Sequence, residues 1–379
     1  MSALAAAIQR FTPKPNARRI GPIGLECSLT ELHLVQMEAS ADHVISVHAM
    51  ASTPYPESRD AMLDSPKKMR ALIHQAMATD RFRGKLVVST LPSADTRIMP
   101  VTYQIKEGQS TDAALLGVLK ERIEGDLKEF VIDYLPVRSE KKSGERLAIV
   151  AIARHEVVVR YLELLRKSGL VTKQLEIGPS AIRRVVSAIG PRDQHANVLA
   201  INFGRNQSYL TVISGARLLL DQPVKIGEIK LLEGIASALD MSADSVRELV
   251  SNNSSMQENS QSQHGSSSLD IDIAETLQEI IKPMLLGFAE EINRVLVYTA
   301  SQTHGQSVNQ IYLMGSLARW HGMDQLLGGL VKLPVKTIPD PLEPFGHKNR
   351  PGTGGQQPRP EIAVATGLAL NGMLENDGY

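Results

Sequence analysis

Cysteine is nearly absent from the chain: Cys27 is the only one in 379 residues. One thiol can neither close an internal disulfide nor build a cysteine zinc cluster. Aromatic residues amount to 4 %, too few for the stacking platforms that hold single-stranded nucleic acid. Charge of one sign is lacking as well, with 41 Lys and Arg against 41 Asp and Glu. That balance gives no global attraction for nucleic acid or an anionic membrane. No run approaches the roughly 18 apolar residues that a membrane-spanning helix needs. The N-terminal run from Met1 to Phe11 has no basic residue ahead of its short apolar stretch, so it does not read as a signal peptide. Residues 1–20 read instead as a tail, with a short docking helix as the sharper alternative. The ten histidines show no metal-ligand spacing, and no Gly-x-Ser-x-Gly elbow occurs.

What is present is an ordinary globular composition, 42 % apolar and 22 % charged, over a length suited to two or three domains. Ile23–Ser28, Glu31–Met37 and Val44–Ala51 read as a three-stranded antiparallel meander, with a tight connection at Leu29 and Thr30. A helix is expected over Pro66–Ala78, with Ser65 as its N-cap and Pro66 in the first helical position. A strand, Lys85–Ser89, follows. The order recurs about 175 residues later. Asn197–Phe203, Ser208–Ser214 and Arg217–Pro223 form a second meander, Glu228–Leu239 a helix and Gln310–Met314 a strand, with a further helix beginning near Leu317. The letters barely match, so the repeat is one of pattern.

Between the two sets, Arg97–Ile105, Ala113–Leu127, Glu129–Val137 and Leu147–Ala153 read as strand, helix, strand, strand. The helix carries Leu115, Leu116, Leu119, Ile123 and Leu127 as a one-sided stripe. Ser251–Ser268, rich in Ser, Asn and Gln, reads as a mobile loop. Gly346–Pro360 also reads as loop, since it lacks the Lys-Ser/Thr pair of a phosphate-binding P-loop. Ile271–Thr303 is helical in pattern, and Pro283 is expected to split or kink it. A last helix is expected over Glu361–Leu374. The organisation is thus a first half over 21–190 with a subdomain inserted at about 93–154, and a second half over 191–375 carrying the loop 251–268. The fold class is α/β: two halves facing a cleft, as in the duplicated actin-like, ribonuclease-H-like fold.

Six blocks, Ile23–Val35, Leu91–Pro100, Val157–Leu170, Glu291–Tyr298, Ile311–Ala318 and Pro360–Leu370, in that order, resemble those of the PilM family, the actin-like component of type IV pilus assembly machines. The resemblance implies two Gly-bearing hairpin turns whose backbone N–H groups cradle ATP phosphates, each with a carboxylate for Mg²⁺. Carried onto this chain, it implies Gly24, Glu26, Ser28 and Thr30 at the first turn and Asn202 and Gly204 at the second. Gly227, Gly315 and Ser316 join them as cofactor-binding positions. The pattern is altered at several places. Glu26 replaces the usual Asp, Ser28 the usual Gly, His33 the usual Lys, Asn202 a common Asp and Ser316 a second Gly. On the purine side, Arg247 and Val250 stand where the family has Glu and Lys. Weak ATP–Mg²⁺ binding, or none, is therefore expected, with no catalytic residue and no metal site.

The resemblance further implies a cytoplasmic scaffold, peripheral to the inner membrane through its partners. Those partners would be the cytoplasmic tail of a PilN-like membrane protein, held beside the inserted subdomain near Arg97, Met99 and Tyr103, and other pilus-assembly proteins. An active ATPase or small-molecule kinase on the same fold is the alternative, and intact Asp residues in both turns would favour it. A membrane-tethered filament resembling FtsA would want a C-terminal amphipathic helix, and the chain ends in a short acidic stretch instead.

Overall fold

The first strands pair through long, largely buried runs, and only the third alternates in burial. In the computed structural model, which describes residues 18–137, 144–190, 196–215, 217–250, 268–320, 322–346 and 360–374, strands β1 (Arg19–Cys27), β2 (Glu31–Ala39) and β3 (Ile45–Pro54) form the expected antiparallel meander. The expected loop at 251–268, apart from Ser268, lies outside these residues, as do residues 1–17 and most of 346–360. From Leu32 onward β2 is buried at every position, because helices cover both of its faces. Short α1 (Arg59–Leu63) and α2 (Pro66–Ala78) follow. Helix α2 starts as its sequence dictates: Ser65 Oγ accepts the Lys68 N–H at 3.4 Å, and Pro66 takes the first turn, where its missing N–H costs nothing. Strand β4 (Leu86–Thr90) then pairs parallel to β1.

The inserted subdomain has its own three-stranded antiparallel sheet. It comprises β5 (Arg97–Tyr103), α3 (Thr111–Arg122), β6 (Phe130–Val137) and β7 (Arg146–Arg154), with β7 central. One face packs Val101, Tyr103, Ala148, Val150 and Ile152 against Leu115 and Leu119 of α3. Leu116, expected in that stripe, is instead an exposed position of α3. The opposite face sends Leu147, Ile149 and Val137 into the core of the second half, beside Leu218 and Leu220. The first half closes with α4 (His155–Lys167), β8 (Val171–Glu176) and α5 (Gly178–Ile189). Strand β8 is absent from the sequence reading, since Thr172, Lys173 and Gln174 break any apolar pattern. It is an edge strand, tied to α5 by the bidentate pair of Glu176 with Arg184 at 2.7 and 2.5 Å.

The second half repeats the plan. It runs β9 (Asn197–Phe203), β10 (Ser208–Ser214), β11 (Arg217–Val224), α6 (Glu228–Leu239), α7 (243–250), α8 (Ser268–Gln302), β12 (Val308–Gly315), α9 (Met323–Val331), β13 (Val335–Thr337) and α10 (Ala363–Leu374). The sheet orders, β3-β2-β1-β4-β8 and β11-β10-β9-β12-β13, superimpose element for element, three antiparallel strands followed by two parallel ones. Two local expectations fail. Helix α8 is continuous through Pro283, because Pro283 lies on the exposed face, where the carbonyl it leaves unpaired reaches water. The segment at Leu317 is a single 3₁₀ turn, Ser316–Arg319, and the α-helix begins only at Met323.

The two halves are joined through exchanged helices. Helix α10, the last of the chain, packs on β1, β2 and β4, while α5 packs on β11. They cross each other where Gly367 meets Ala181, so closely that a Cβ on Gly367 would lie 2.1 Å from the Ala181 carbonyl oxygen. The surrounding core mixes Val88 of the first sheet with Val198, Ala200 and Met314 of the second.

Asp221 on β11 is buried, with its carboxylate accepting the Thr211 hydroxyl at 2.6 Å. Burial pushes its pKa up to about 7, and the Thr211 bond offsets this only in part. The folded protein therefore holds the proton more tightly than the unfolded chain does. Stability falls as pH rises from about 4 through about 7, and the full penalty applies above that. Asp221→Asn keeps the acceptor and removes the charge. Melting curves should show it gaining a few kcal/mol, about, over the parent at pH 8 and little at pH 4.5; equal gains at both values would refute the linkage.

Candidate functional site

The β1–β2 and β9–β10 turns face each other across the cleft between the halves. In the first, Ser28 and Glu31 close the hairpin: Ser28 N–H and Oγ both donate to the Glu31 carbonyl, at 3.0 and 2.8 Å. Thr30 is exposed, and its carbonyl accepts the Tyr55 N–H. Leu29 reaches across, and its Cδ1 lies 3.6 Å from where a Cβ on Gly204 would stand. The two turns are thus in contact through a leucine side chain.

Behind the second turn, Gly227 caps α6. A Cβ there would lie 2.4 Å from the Arg205 carbonyl oxygen, so the glycine is required by space, since its backbone is ordinary extended chain. The Glu228 and Ile229 N–H groups of the first turn of α6 donate to the carbonyls of Gly204 and Arg205, both at 2.9 Å. Two of the donors that a helix N-terminus offers an anion are therefore already engaged. Gly315, at φ 82°, ends β12 in a conformation that favours glycine. A Cβ on it would sit 2.8 Å from Asn202 Oδ1. Ser316 Oγ donates to the Phe203 carbonyl at 3.2 Å. Asn202, Gly204, Gly227, Gly315 and Ser316 thus converge, and Ser28 and Thr30 share the first turn, while Glu26 lies behind it within β1.

Gly24 stands apart from this set. It lies inside β1, where a Cβ would come 2.2 Å from the Ala365 carbonyl oxygen and 2.5 Å from the Ala369 nitrogen. Its role is to let α10 lie directly on the sheet. Strand–helix packing thus gives this glycine a reason of its own, beside its expected place among the cofactor-binding residues.

Glu26 points at the N-terminus of the same helix. Burial pushes its pKa up to about 8, opposed by Arg59 and by the Ala365 N–H that it accepts. At neutral pH this carboxyl is largely protonated. Its Oε2 and the Nε of Arg59 are buried without a hydrogen-bond partner among the described residues. The rest of the cleft is crowded with matched charge. Burial, which would lower the pKa of Arg319, is outweighed by Glu361, which it contacts directly, and by Glu31 and Glu228. Burial raises the pKa of Glu228, while Arg247, a bond from Trp320, and Arg205 hold it down. Leu29, Arg59, Arg319 and Glu361 are absent from the sequence reading of the site. Arg59 and Arg319 lie outside the family blocks, Leu29 and Glu361 at block positions that the motif leaves unspecified, and only tertiary contact brings them together.

A groove of about 640 Å³ opens where the inserted subdomain meets the first half. Its lining includes Asp95, Arg97, Ile123, Phe130, Arg154 and Val157. Arg154 stacks on Phe130 at 5.5 Å. Of the residues expected here, Arg97 lines the groove. Tyr103 does not: it is buried in the subdomain core, and Met99 packs against that same core. Both alternate with Arg97 on one face of β5, but α3 covers that face further along. Among the described residues no group of three or more His, Cys, Asp or Glu could hold a metal. No helix among them is long and apolar enough to cross a membrane.

Two sheets of identical order, joined by exchanged helices around a cleft bearing paired hairpin turns, define a protein of the actin-like ATPase fold. The family model described as type IV pilus assembly protein PilM matches residues 24–373, and the chain belongs to that family. In structure it is similar to the protein of a solved PilM-PilN type IV pilus biogenesis complex, at 23 % identity and TM-score 0.74, over 94 % of this chain and 99 % of that one. It is also similar in fold to the ethanolamine utilization protein EutJ from Carboxydothermus hydrogenoformans, at 11 % identity and TM-score 0.52, over 95 % and 93 % of the two chains. No curated protein matches the sequence.

The packing role of Gly24 is measurable without any ligand. Gly24→Ala should lower unfolding free energy in denaturant by about 2 kcal/mol or more, whereas exposed Thr30→Ala should change it by less than about 0.5 kcal/mol. A Gly24→Ala protein of parental stability would refute the packing role.

Proposed function

We propose that the protein is a cytoplasmic scaffold of type IV pilus assembly, which holds the short cytoplasmic tail of a PilN-like inner-membrane protein in the groove beside its inserted subdomain. The groove is the observation that carries this reading. It brings Ile123, Phe130, Ile152 and Val157 together with the charged side chains Arg97, Arg122, Arg154, Asp95 and Glu124. The adjoining β5 and β6 are edge strands of their sheet, so main-chain pairing is available to an extended peptide, with pockets reading alternate side chains. The similarity to a PilM protein solved together with PilN supports the choice of partner. Attachment to the inner membrane would then run through that tail. Titration with N-terminal peptides of candidate membrane partners tests the proposal. Arg97→Glu and Phe130→Ala should each weaken binding at least about fivefold, the loss expected for an interface residue worth more than about 1 kcal/mol. Parental affinity in both variants would place the partner elsewhere.

The cleft, on this reading, does not turn over ATP. Phosphoryl transfer needs Mg²⁺ and carboxylates that hold it. Here one position is the uncharged Asn202. The other, Glu26, is largely protonated at neutral pH and engaged at the N-terminus of α10. Leu29 occupies the space between the turns. These residues do not fit a Mg²⁺–ATP complex poised for hydrolysis. Hydrolysis should stay well below the ~1 per second typical of slow enzymes, and Asn202→Asp alone should not restore it. Turnover at enzymatic rates, abolished by Gly204→Val, would make the protein an ATPase after all.

A further inference from the structure

Helix α8 buries one side against α6 and α9 and leaves the other bare. Val297 is 71 % exposed, the most exposed large hydrophobic residue among those described, and Leu286 is 52 % exposed. Pro283, Gly287, Glu290, Arg294 and Ser301 are exposed beside them. Pro283 and Ser301 lie about five turns apart along one line of the helix, ~27 Å. Glu290 and Arg294 flank that line closely, with Gly287 and Val297 a little further out on opposite sides. Gly287 has no reason within the chain: a Cβ on it would meet nothing within 4 Å, and a glycine inside an exposed helix costs about 1 kcal/mol relative to alanine.

The stripe is complementary to itself. We propose that the exposed stripe of α8 is a homodimer interface in which a second copy of this chain lies antiparallel, across a two-fold axis at the level of the buried Ile292. That register sets Gly287 opposite the partner's Val297, a hole for a knob, and Glu290 opposite the partner's Arg294. By symmetry each contact forms twice, as an isologous interface requires. Arg294 is held by Glu291 of its own chain at 2.6 Å, and the five donors of a guanidinium leave others free for the partner. A single pair of helices falls at the small end of specific interfaces, so dissociation constants on the order of 100 µM are expected.

Sedimentation equilibrium of the full chain tests the inference. The parent should show a monomer–dimer equilibrium in that range. Arg294→Glu and Glu290→Arg should each weaken it at least tenfold by placing like charges together, and the double variant should restore it to within about threefold of the parent. The sole cysteine is buried, so engineered thiols give a clean second reading. The double variant Gly287→Cys, Val297→Cys should form an oxidised dimer, while either single variant should not, because equivalent positions stand roughly 15 Å apart along the axis in the proposed register. A protein monomeric at 1 mM would overturn the proposal. So would a dimer indifferent to the charge changes, or one cross-linked equally by Val297→Cys alone.

Discussion

Everything in this protein hangs on the crossing of α5 and α10 between the two sheets. Backbone touches backbone there, Gly367 on Ala181 and the Gly24 strand on α10, so the sheets are held at a spacing that side chains could not allow. Each half lends its last helix to the other half's sheet. Neither half can therefore bury its own core alone, and the cleft between them is a consequence of that exchange. The chain joins distant ends through it: α10 is formed by the last described residues, yet it covers the first strand.

The cleft inherits its chemistry from the same helix. The N-terminus of α10 lies beside the end of β1, where Glu26 accepts the Ala365 N–H. Burial then favours the protonated form. Around it, arginines and glutamates from seven separate segments neutralise one another, with Arg319 and Glu361 in contact. Charges so paired are costly to separate. A cleft built this way is suited to holding two halves in a set relation. The inserted subdomain sits in the same mechanical frame, since one face of its sheet is part of the second half's core while the groove at its other side opens towards the first half.

Local order was largely legible from the residues. Helix α2 begins and ends as its Ser-Pro start and polar end suggest, and β9, β10 and α6 follow their hydrophobic runs to the residue. The duplicated order of elements could be read as well, because meander, helix and strand each leave a period of their own. Edge strands were not legible. Strand β8 is half polar and β13 spans only Val335–Thr337, so neither carries a period long enough to detect. Pro283 misled because its cost depends on which side of the helix it falls, and that is decided by packing.

The amino-acid sequence by itself determined the class of fold, the boundaries of most elements and the loss of carboxylate character at Asn202, for these depend on residue type and on spacing along the chain. Tertiary structure alone decided what the shared residues do. It assigned Gly24 to helix packing, buried Tyr103 while leaving Arg97 on the groove, set Leu29 between the turns and brought Arg319 to Glu361. Those outcomes depend on distances between segments far apart in the chain, and no local pattern encodes a distance that only the packing of α5 against α10 establishes.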